Sequence, residues 1–317
     1  MKITIISLDN WGFNNHIAEH LTKKGHTVRH INFHAFSYKY PGLLHKIYNF
    51  ILKSFIGKNL KHLYYGKEII RQLKQINEKQ DFILTLKGDF IDTDYLKQFK
   101  NYTDRSIAVY NDNIARYPKI KATLKCFDEV YSFEKEDCLK YNLKFITNWI
   151  YNMVEPAPAN TKFDFDVFNI TTKDRRISII QKIATELKSK NIRYKIMVFS
   201  KKEINDDTIE YISRKIPLNE VNQYINRSKA VLDINREGQS GLSFRIFESL
   251  GLHKKLITTN ADIVTYDFYN PNNIVVIDEK EPVITPSFFE TPYEEIPDTI
   301  FHKYTLEGWT DTIFSTP

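Results

Sequence analysis

Short apolar runs, separated by stretches of helical spacing, recur along the chain. Residues 2–8 form the first run, the loop "DNWGFNN" follows, and a helical pattern runs from His16 to Lys24 with Ile17 and Leu21 on one face. Gly25 stands where a helix C′ residue belongs, and "HTVRHINF" makes the next strand. The runs "DFILTL" (81–86), "SIAVY" (106–110) and "DEVYSF" (128–133) then alternate with helical or loop stretches. This alternation predicts a mainly parallel sheet covered by helices.

The pattern halts at "EPAPAN" (155–160), which reads as a linker, and then restarts. A strand "DVFNI", a helix from Asp174 to Lys190, a strand "IRYKIMVF" and a helix from Leu218 to Ser228 lead to the strand "AVLDI". A short helix inside "SGLSFRIFESLG" (240–251) comes next, then "KLITT" and "NIVVI". The tail "YTLEGWTDTIF" (304–314) has Leu306, Trp309 and Ile313 at helical spacing. The expectation is an α/β protein of two Rossmann-like domains, 1–153 and 154–303, facing across a cleft. The tail helix, about 304–317, is expected to pack back on the first domain. A length of 317 residues suits two such domains.

Charge and cysteine content narrow the partners. A net charge of +6 is too small for a dedicated nucleic-acid binder, and suits anionic small molecules or a membrane surface. Cys126 and Cys138 form neither a CxxC pair nor a disulfide framework, which points to a reducing compartment. The first apolar run stops at Asp9, too short for a signal peptide, and no run of about 18 uncharged apolar residues occurs. A cytoplasmic protein is expected, with a peripheral place on the inner face of the membrane left open.

In parallel sheets, ligands bind beyond the carboxyl ends of the strands, so the strand-to-helix loops hold the candidate chemistry. If Ser243 caps the short helix, Arg245 lies in its first turn, where free N–H groups and the helix dipole favour an anion. Glu248 follows three residues on along the same face. One reading is a nucleotide site, with phosphate on Arg245 and ribose hydroxyls on Glu248. The other is an i,i+3 salt bridge at the surface, worth a few tenths of a kcal/mol.

The stretch "YINRSKAVLDINREGQSGLSFRIFESLGLHKKLITTN" resembles the donor-binding segment of GT-B-fold glycosyltransferases, especially those that build bacterial lipopolysaccharide core and capsule. "KITIISLDNWGFNNHIAEHL", "LTLKGDFID" and "VYSFEKEDCLKYNLK" are similar to the N-terminal domain of that group. The resemblance implies transfer of a sugar from a nucleotide-sugar donor to a glycan or lipid-linked acceptor, without a metal cofactor. Glu248 would hold the donor ribose, Arg245 the diphosphate side, and Ser240, Gly241, Leu242 and Ser243 would lie along the phosphates. Where many retaining members carry a second glutamate eight residues before the ribose glutamate, this chain has Ser240, and Glu237 stands nearby at a different spacing. The turn "NITTKDRR" has Thr171 where relatives often have glycine, yet Lys173 and Arg176 are placed to face a diphosphate or simply to open a basic helix. Ser200 sits at another strand end.

An inverting transfer needs a base for the acceptor hydroxyl. Asp9, Asp89 and Asp112 stand at strand ends and His16 opens the first helix; Asp9 and Asp112 are preferred because each directly follows an apolar strand. The alternative for each is a cap or turn. Residues 38–67 carry six lysines and no acid beside Leu43, Leu44, Ile47, Phe50, Ile51, Leu52 and Phe55. That reads either as a basic amphipathic helix docking on a membrane or as an ordinary helix packed on the sheet. GxGxxG and Walker A loops are missing, the histidines lack metal-ligand spacing, and "DFD" (164–166) and "DTD" (92–94) fall in a linker end and a polar turn. No nucleic acid and no metal are expected. A non-catalytic nucleotide or glycan binder and a nucleotide-sugar epimerase are the alternatives on this fold.

Overall fold

The computed structural model describes residues 1–156, 158 and 161–315; of the expected linker, Ala157, Ala159 and Asn160 lie outside the described residues. The chain divides into two units, one of Met1–Thr147 with Thr310–Pro317 and one of Asn148–Trp309. Twelve strands are named: β1 (Lys2–Ser7), β2 (Thr27–Asn32), β3 (Gln80–Leu86), β4 (Thr103–Tyr110), β5 (Glu129–Ser132), β6 (Lys144–Phe145), β7 (Phe165–Thr172), β8 (Tyr194–Phe199), β9 (Glu210–Ile212), β10 (Ser228–Asp233), β11 (Lys255–Thr258) and β12 (Ile274–Val276). The α-helices are α1 (Phe13–Lys23), α2 (Leu43–Ile51), α3 (Leu60–Ile76), α4 (Thr93–Leu96), α5 (Lys119–Thr123), α6 (Lys135–Tyr141), α7 (Ile177–Ser189), α8 (Leu218–Asn226), α9 (Phe244–Gly251), α10 (Asp298–Tyr304) and α11 (Leu306–Phe314).

The first unit is a parallel sheet in the order β2-β1-β3-β4-β5-β6. Its central strands are apolar on both faces because both are covered. Ile6, Ile83 and Ala108 join Ile31, Ile69, Ile70 and Leu73 in one core, while Ile3 and Ile5, offset by one residue, are fully buried as well. Helix α1 ends as its sequence requires. Gly25 adopts φ +84°, its N–H donates to Thr22 O at 2.9 Å, and the His26 N–H donates to Leu21 O at 3.1 Å, a Schellman closure. The start of α1 comes three residues earlier than periodicity indicates, because the Asp9 carboxylate accepts from the N–H groups of Gly12 and Asn14, both at 2.7 Å.

Residues 38–67 are not one helix. Helix α2 continues through a π-turn over Leu52–Ile56 and stops at Gly57, which is left-handed at φ +71°. Asn59 then caps α3 by accepting from the Lys61 N–H at 3.0 Å. Nor does the apolar side of α2 pack on the sheet: Leu43, Leu44, Ile47, Phe50 and Ile51 are all exposed.

The second unit is a parallel sheet in the order β12-β11-β10-β7-β8-β9. Alternate residues feed two separate cores. Phe168, Val231 and Leu256 pack with Ile246, Phe247 and Leu250 of α9 on one face, and Val167, Leu232 and Ile257 pack with Ile180, Ile183 and Leu187 of α7 on the other. Among the described residues no helix is long and apolar enough to cross a membrane.

Residues 148–154, just before the expected linker, run along α9 as a strap. Asn148 Nδ2 donates to Leu242 O at 2.8 Å, and the Trp149 ring meets Phe244 edge-on at 4.9 Å. The Ile150 N–H donates to Tyr304 O at 2.7 Å, and the Val154 N–H to Gly251 O at 3.1 Å. Gly251 permits this course, since a Cβ there would overlap Asn152 O and Ile150 Cγ2. Gly251→Ala is therefore expected to lower the unfolding free energy by about 1–3 kcal/mol in urea titration, as overpacking against backbone does. An unchanged midpoint would mean that the strap does not depend on this contact.

Candidate functional site

Strand order defines where a ligand binds. In the second sheet β7 and β10 are neighbours, with β8 and β9 beyond one and β11 and β12 beyond the other. This is the point where strand order reverses, and in such sheets the crevice past the carboxyl ends receives the ligand. Helix α9 begins there. Its cap, Ser243, accepts from the Arg245 N–H at 3.2 Å and donates to Asp233 Oδ1 at 2.6 Å. The Thr258 hydroxyl donates to Asp233 Oδ2 at 2.9 Å. One buried carboxylate thus fixes the ends of β10 and β11 and the start of α9.

The loop into α9 is held from several sides. Asn260 Nδ2 donates to Ser240 O at 3.2 Å, Gln239 Nε2 to Gly241 O at 2.8 Å, and the Asn235 N–H to Thr259 Oγ1 at 2.8 Å. The Leu242 side chain is buried in the core, so any contact it makes with a ligand comes through its backbone.

Arg245 and Glu248 do pair with each other, as the salt-bridge reading expects, but not at the surface. Glu248 is only 3% exposed. Its Oε2 accepts from Arg245 Nη1, and its Oε1 accepts from the Tyr151 hydroxyl, which also lies 3.3 Å from Asn222 Oδ1. Arg245 Nη2 donates to Ile170 O of β7 at 3.3 Å, so the guanidinium spans from α9 to the β7 side of the switch point. Burial, and then the Glu248 carboxylate beside it, push the Tyr151 hydroxyl far above its usual range and keep it a donor. Each Glu248 oxygen keeps lone-pair capacity after these bonds, so the carboxylate can accept from a pair of vicinal hydroxyls. Its charge is already balanced by Arg245, which suits hydroxyls better than a divalent cation.

The other residues expected at this edge divide. Lys173 is exposed just past β7, where its charge can meet an anion. Arg176 is instead a tie between strand ends: it donates to Asp174, to Ile234 O at 2.5 Å and to Thr171 Oγ1 at 3.3 Å. Ser200 is a turn residue, its hydroxyl donating to Lys202 O at 2.9 Å and accepting from the Lys202 N–H at 3.2 Å. These bonds occupy the groups that were expected to face a diphosphate.

The first unit has its own switch point between β1 and β3. Asp9 stands there as a cap: its carboxylate accepts from Trp11, Gly12 and Asn14 N–H groups at 3.2, 2.7 and 2.7 Å, so the backbone engages both of its oxygens. Asp112 is held in an ion pair by the Lys87 ammonium. His16 is half-buried in the first turn of α1. Asp89, the third strand-end acid, differs in its electrostatics. It is 8% exposed, and burial raises its carboxyl to about 6, with the Lys87 ammonium opposing and the Asp112 charge assisting. Lys87 itself is left-handed at φ +64°, a costly conformation for a side chain, held at the end of β3 beside Asp89. Tyr151 was not singled out by periodicity. Its signal is the aromatic stretch "NWIYN" directly before a proline-rich linker.

No protein-family model matches the sequence, and no curated protein matches it either. Solved structures do match in fold. An alpha-glucosyltransferase in complex with UDP-glucose and DNA containing an abasic site aligns at a TM-score of 0.60 and 11% identity, over 99% of this chain and 98% of that one. A glycosyltransferase from Rickettsia africae ESF-5 aligns at 0.51 and 14% identity, over 99% and 100%. UDP-GlcNAc 2-epimerase from Methanocaldococcus jannaschii aligns at 0.50 and 11% identity, over 100% of both. The chain therefore has the two-domain α/β fold of GT-B glycosyltransferases, which nucleotide-sugar epimerases share.

Two outcomes follow from the geometry. Arg245→Met leaves the buried Glu248 charge uncompensated and is expected to cost about 3 kcal/mol or more in urea titration, whereas the Arg245→Met/Glu248→Met double variant recovers most of it. If the single substitution costs under about 1 kcal/mol, the pair behaves as a solvated one. For Asp89, the folded carboxyl binds its proton more tightly than the unfolded one. The stabilisation is therefore full below the ordinary carboxyl range and is lost as pH rises through about 6. Asp89→Asn should abolish this loss and stabilise the protein at neutral pH by of order 2 kcal/mol relative to wild type, measured by denaturant melts on either side of that pH.

Proposed function

We propose that the protein is a glycosyltransferase that moves a sugar from a nucleotide-sugar donor to a glycan acceptor. The observation that carries this reading is the buried Arg245–Glu248–Tyr151 cluster at the switch point of the second sheet. A nucleoside diphosphate would place its ribose hydroxyls on Glu248 and its diphosphate toward the start of α9, with the backbone of residues 240–243 and Lys173 alongside. The bond from the anomeric carbon to the diphosphate oxygen breaks, the electron pair leaves with the nucleoside diphosphate, and the acceptor oxygen bonds to that carbon. Asp89 is the group best suited to receive the acceptor's proton, since its carboxyl ionises near neutral pH. The reading requires no metal cofactor, because the helix N-terminus and Lys173 would supply the positive charge at the leaving group.

The resemblance of residues 237–260 to lipopolysaccharide and capsule transferases supports a bacterial surface glycan as the acceptor, in a cytoplasmic setting. The modest net charge supports a glycan over a nucleic acid, although three of the structural neighbours, all alpha-glucosyltransferase complexes, were solved with DNA. The epimerase neighbour supports a second reading, in which the same nucleotide-sugar site acts without an acceptor.

Calorimetric titration with UDP, GDP, dTDP and CMP tests the site. One nucleotide is expected to bind, and Glu248→Gln to weaken it about 10- to 100-fold, the effect of losing a charge-assisted hydrogen bond. Absence of binding, or equal binding by the variant, would overturn the nucleotide reading. With the matching nucleotide-sugar, release of the diphosphate should require an acceptor, survive EDTA and rise with pH through about 6. Conversion of the donor sugar without an acceptor would instead establish the epimerase.

A further inference from the structure

Helix α2 is built inside out. A surface helix normally turns its apolar stripe to the core and its polar side to water. Here Leu43, Leu44, Ile47, Tyr48, Phe50 and Ile51 are exposed, Leu44 by 80%, and Phe55 and Ile56 in the following π-turn continue the exposed side, Phe55 by 83%. The residues turned inward are Asn49 and Leu52. Asn49 is what docks the helix: its Nδ2 donates to Tyr40 Oη and its Oδ1 accepts from the Leu60 N–H, both at 2.8 Å. The apolar side is thus held outward by a polar anchor, and a contiguous patch of this size on a surface marks an interaction site.

Charge selects the partner. No Asp or Glu occurs between Glu19 and Glu68, and Lys39, Lys46, Lys53, Lys61 and Lys67 within that span are exposed. Lysines bordering exposed leucine, isoleucine and phenylalanine match an anionic lipid surface, where the apolar side enters the acyl boundary and the ammonium groups meet the headgroups. A second copy of the chain is disfavoured, because a two-fold contact would set this lysine-rich segment against itself. Nucleic acid would satisfy the lysines but gain nothing from the aliphatic side chains.

We propose that α2 and its π-turn are a docking element for anionic phospholipid bilayers. The inference does not depend on the nucleotide site, because lipid binding is measured without nucleotide. The test is co-sedimentation of the full chain with vesicles of phosphatidylcholine alone or mixed equally with phosphatidylglycerol. Partition onto the mixed vesicles is expected, weaker on phosphatidylcholine and weaker at high salt. Leu44→Glu/Phe55→Glu should lower it about tenfold or more while leaving the circular dichroism melt unchanged, since both side chains are exposed. Lys46→Glu/Lys53→Glu should remove the preference for phosphatidylglycerol. The proposal fails if the wild type stays in the supernatant, or if the Leu44/Phe55 variant sediments as wild type does. It fails equally if the wild type ignores vesicles but forms a dimer on size exclusion that Leu44→Glu/Phe55→Glu dissolves, or retards duplex DNA.

Discussion

The buried charge of Glu248 constrains much of the second unit. A carboxylate almost closed off from water must find partners, and it finds one close in sequence and one far from it. Arg245 comes from the preceding turn of the same helix and extends to β7. Tyr151 comes from the strap, and it can reach the carboxylate only because Gly251 lets the strap lie against the end of α9. A loss at any of these positions leaves a charge or a donor unsatisfied, so each part enforces the others. In the proposed nucleotide reading, the carboxylate would already be oriented before ribose hydroxyls arrive, leaving little ordering to be done on binding.

Both sheets place their chemistry by the same topological rule. The first has Asp9 after β1 and Asp89 after β3; the second has Lys173 after β7 and the α9 loop after β10. Neighbouring strands that lead away in opposite directions leave an open crevice, and the polar groups lining it are those that no helix covers. The two edges differ in electrostatics. On the first, burial holds Asp89 near neutrality in its ionisation while Lys87 takes up the charge of Asp112. On the second, a guanidinium and a carboxylate neutralise each other. In the proposed reading, the first edge would take up a proton and the second would hold hydroxyls and phosphate.

The strands and most helices were legible in the sequence because a parallel sheet covered on both faces demands continuous apolar runs, and Gly25, Ser243 and the "SGLSFRIFESLG" helix followed local rules. The α9 pair was legible as spacing but not as environment. An i,i+3 Arg–Glu pair looks the same whether water or Tyr151 surrounds it, and Tyr151 stands 97 residues away from Glu248. Nearness to an apolar strand favours Asp9 and Asp112, but it also selects caps, and Asp9 is one. Asp89 could not be separated from Asp112 without knowing which of them Lys87 would reach. The strap was invisible to periodicity because it belongs to no helix or sheet, and its fit depends on the missing side chain of Gly251.

Where the chain departs from local rules, the departures gather at the places that chemistry would use. Helix α2 exposes its leucines and buries an asparagine, Lys87 takes a left-handed conformation, and Glu248 is ionisable and buried. Each carries a cost that a sequence shaped for stability alone would avoid. The rest of the fold shows how readily it could have been avoided: α7, of ordinary amphipathic design, sends Ile180, Ile183 and Leu187 into the core without exception. The apolar run in α2 therefore reflects a different requirement from that of α7, although both are amphipathic. The inward side of α2 and its π-turn is instead Asn49, bonded to Tyr40 and Leu60, with Leu52 beside it.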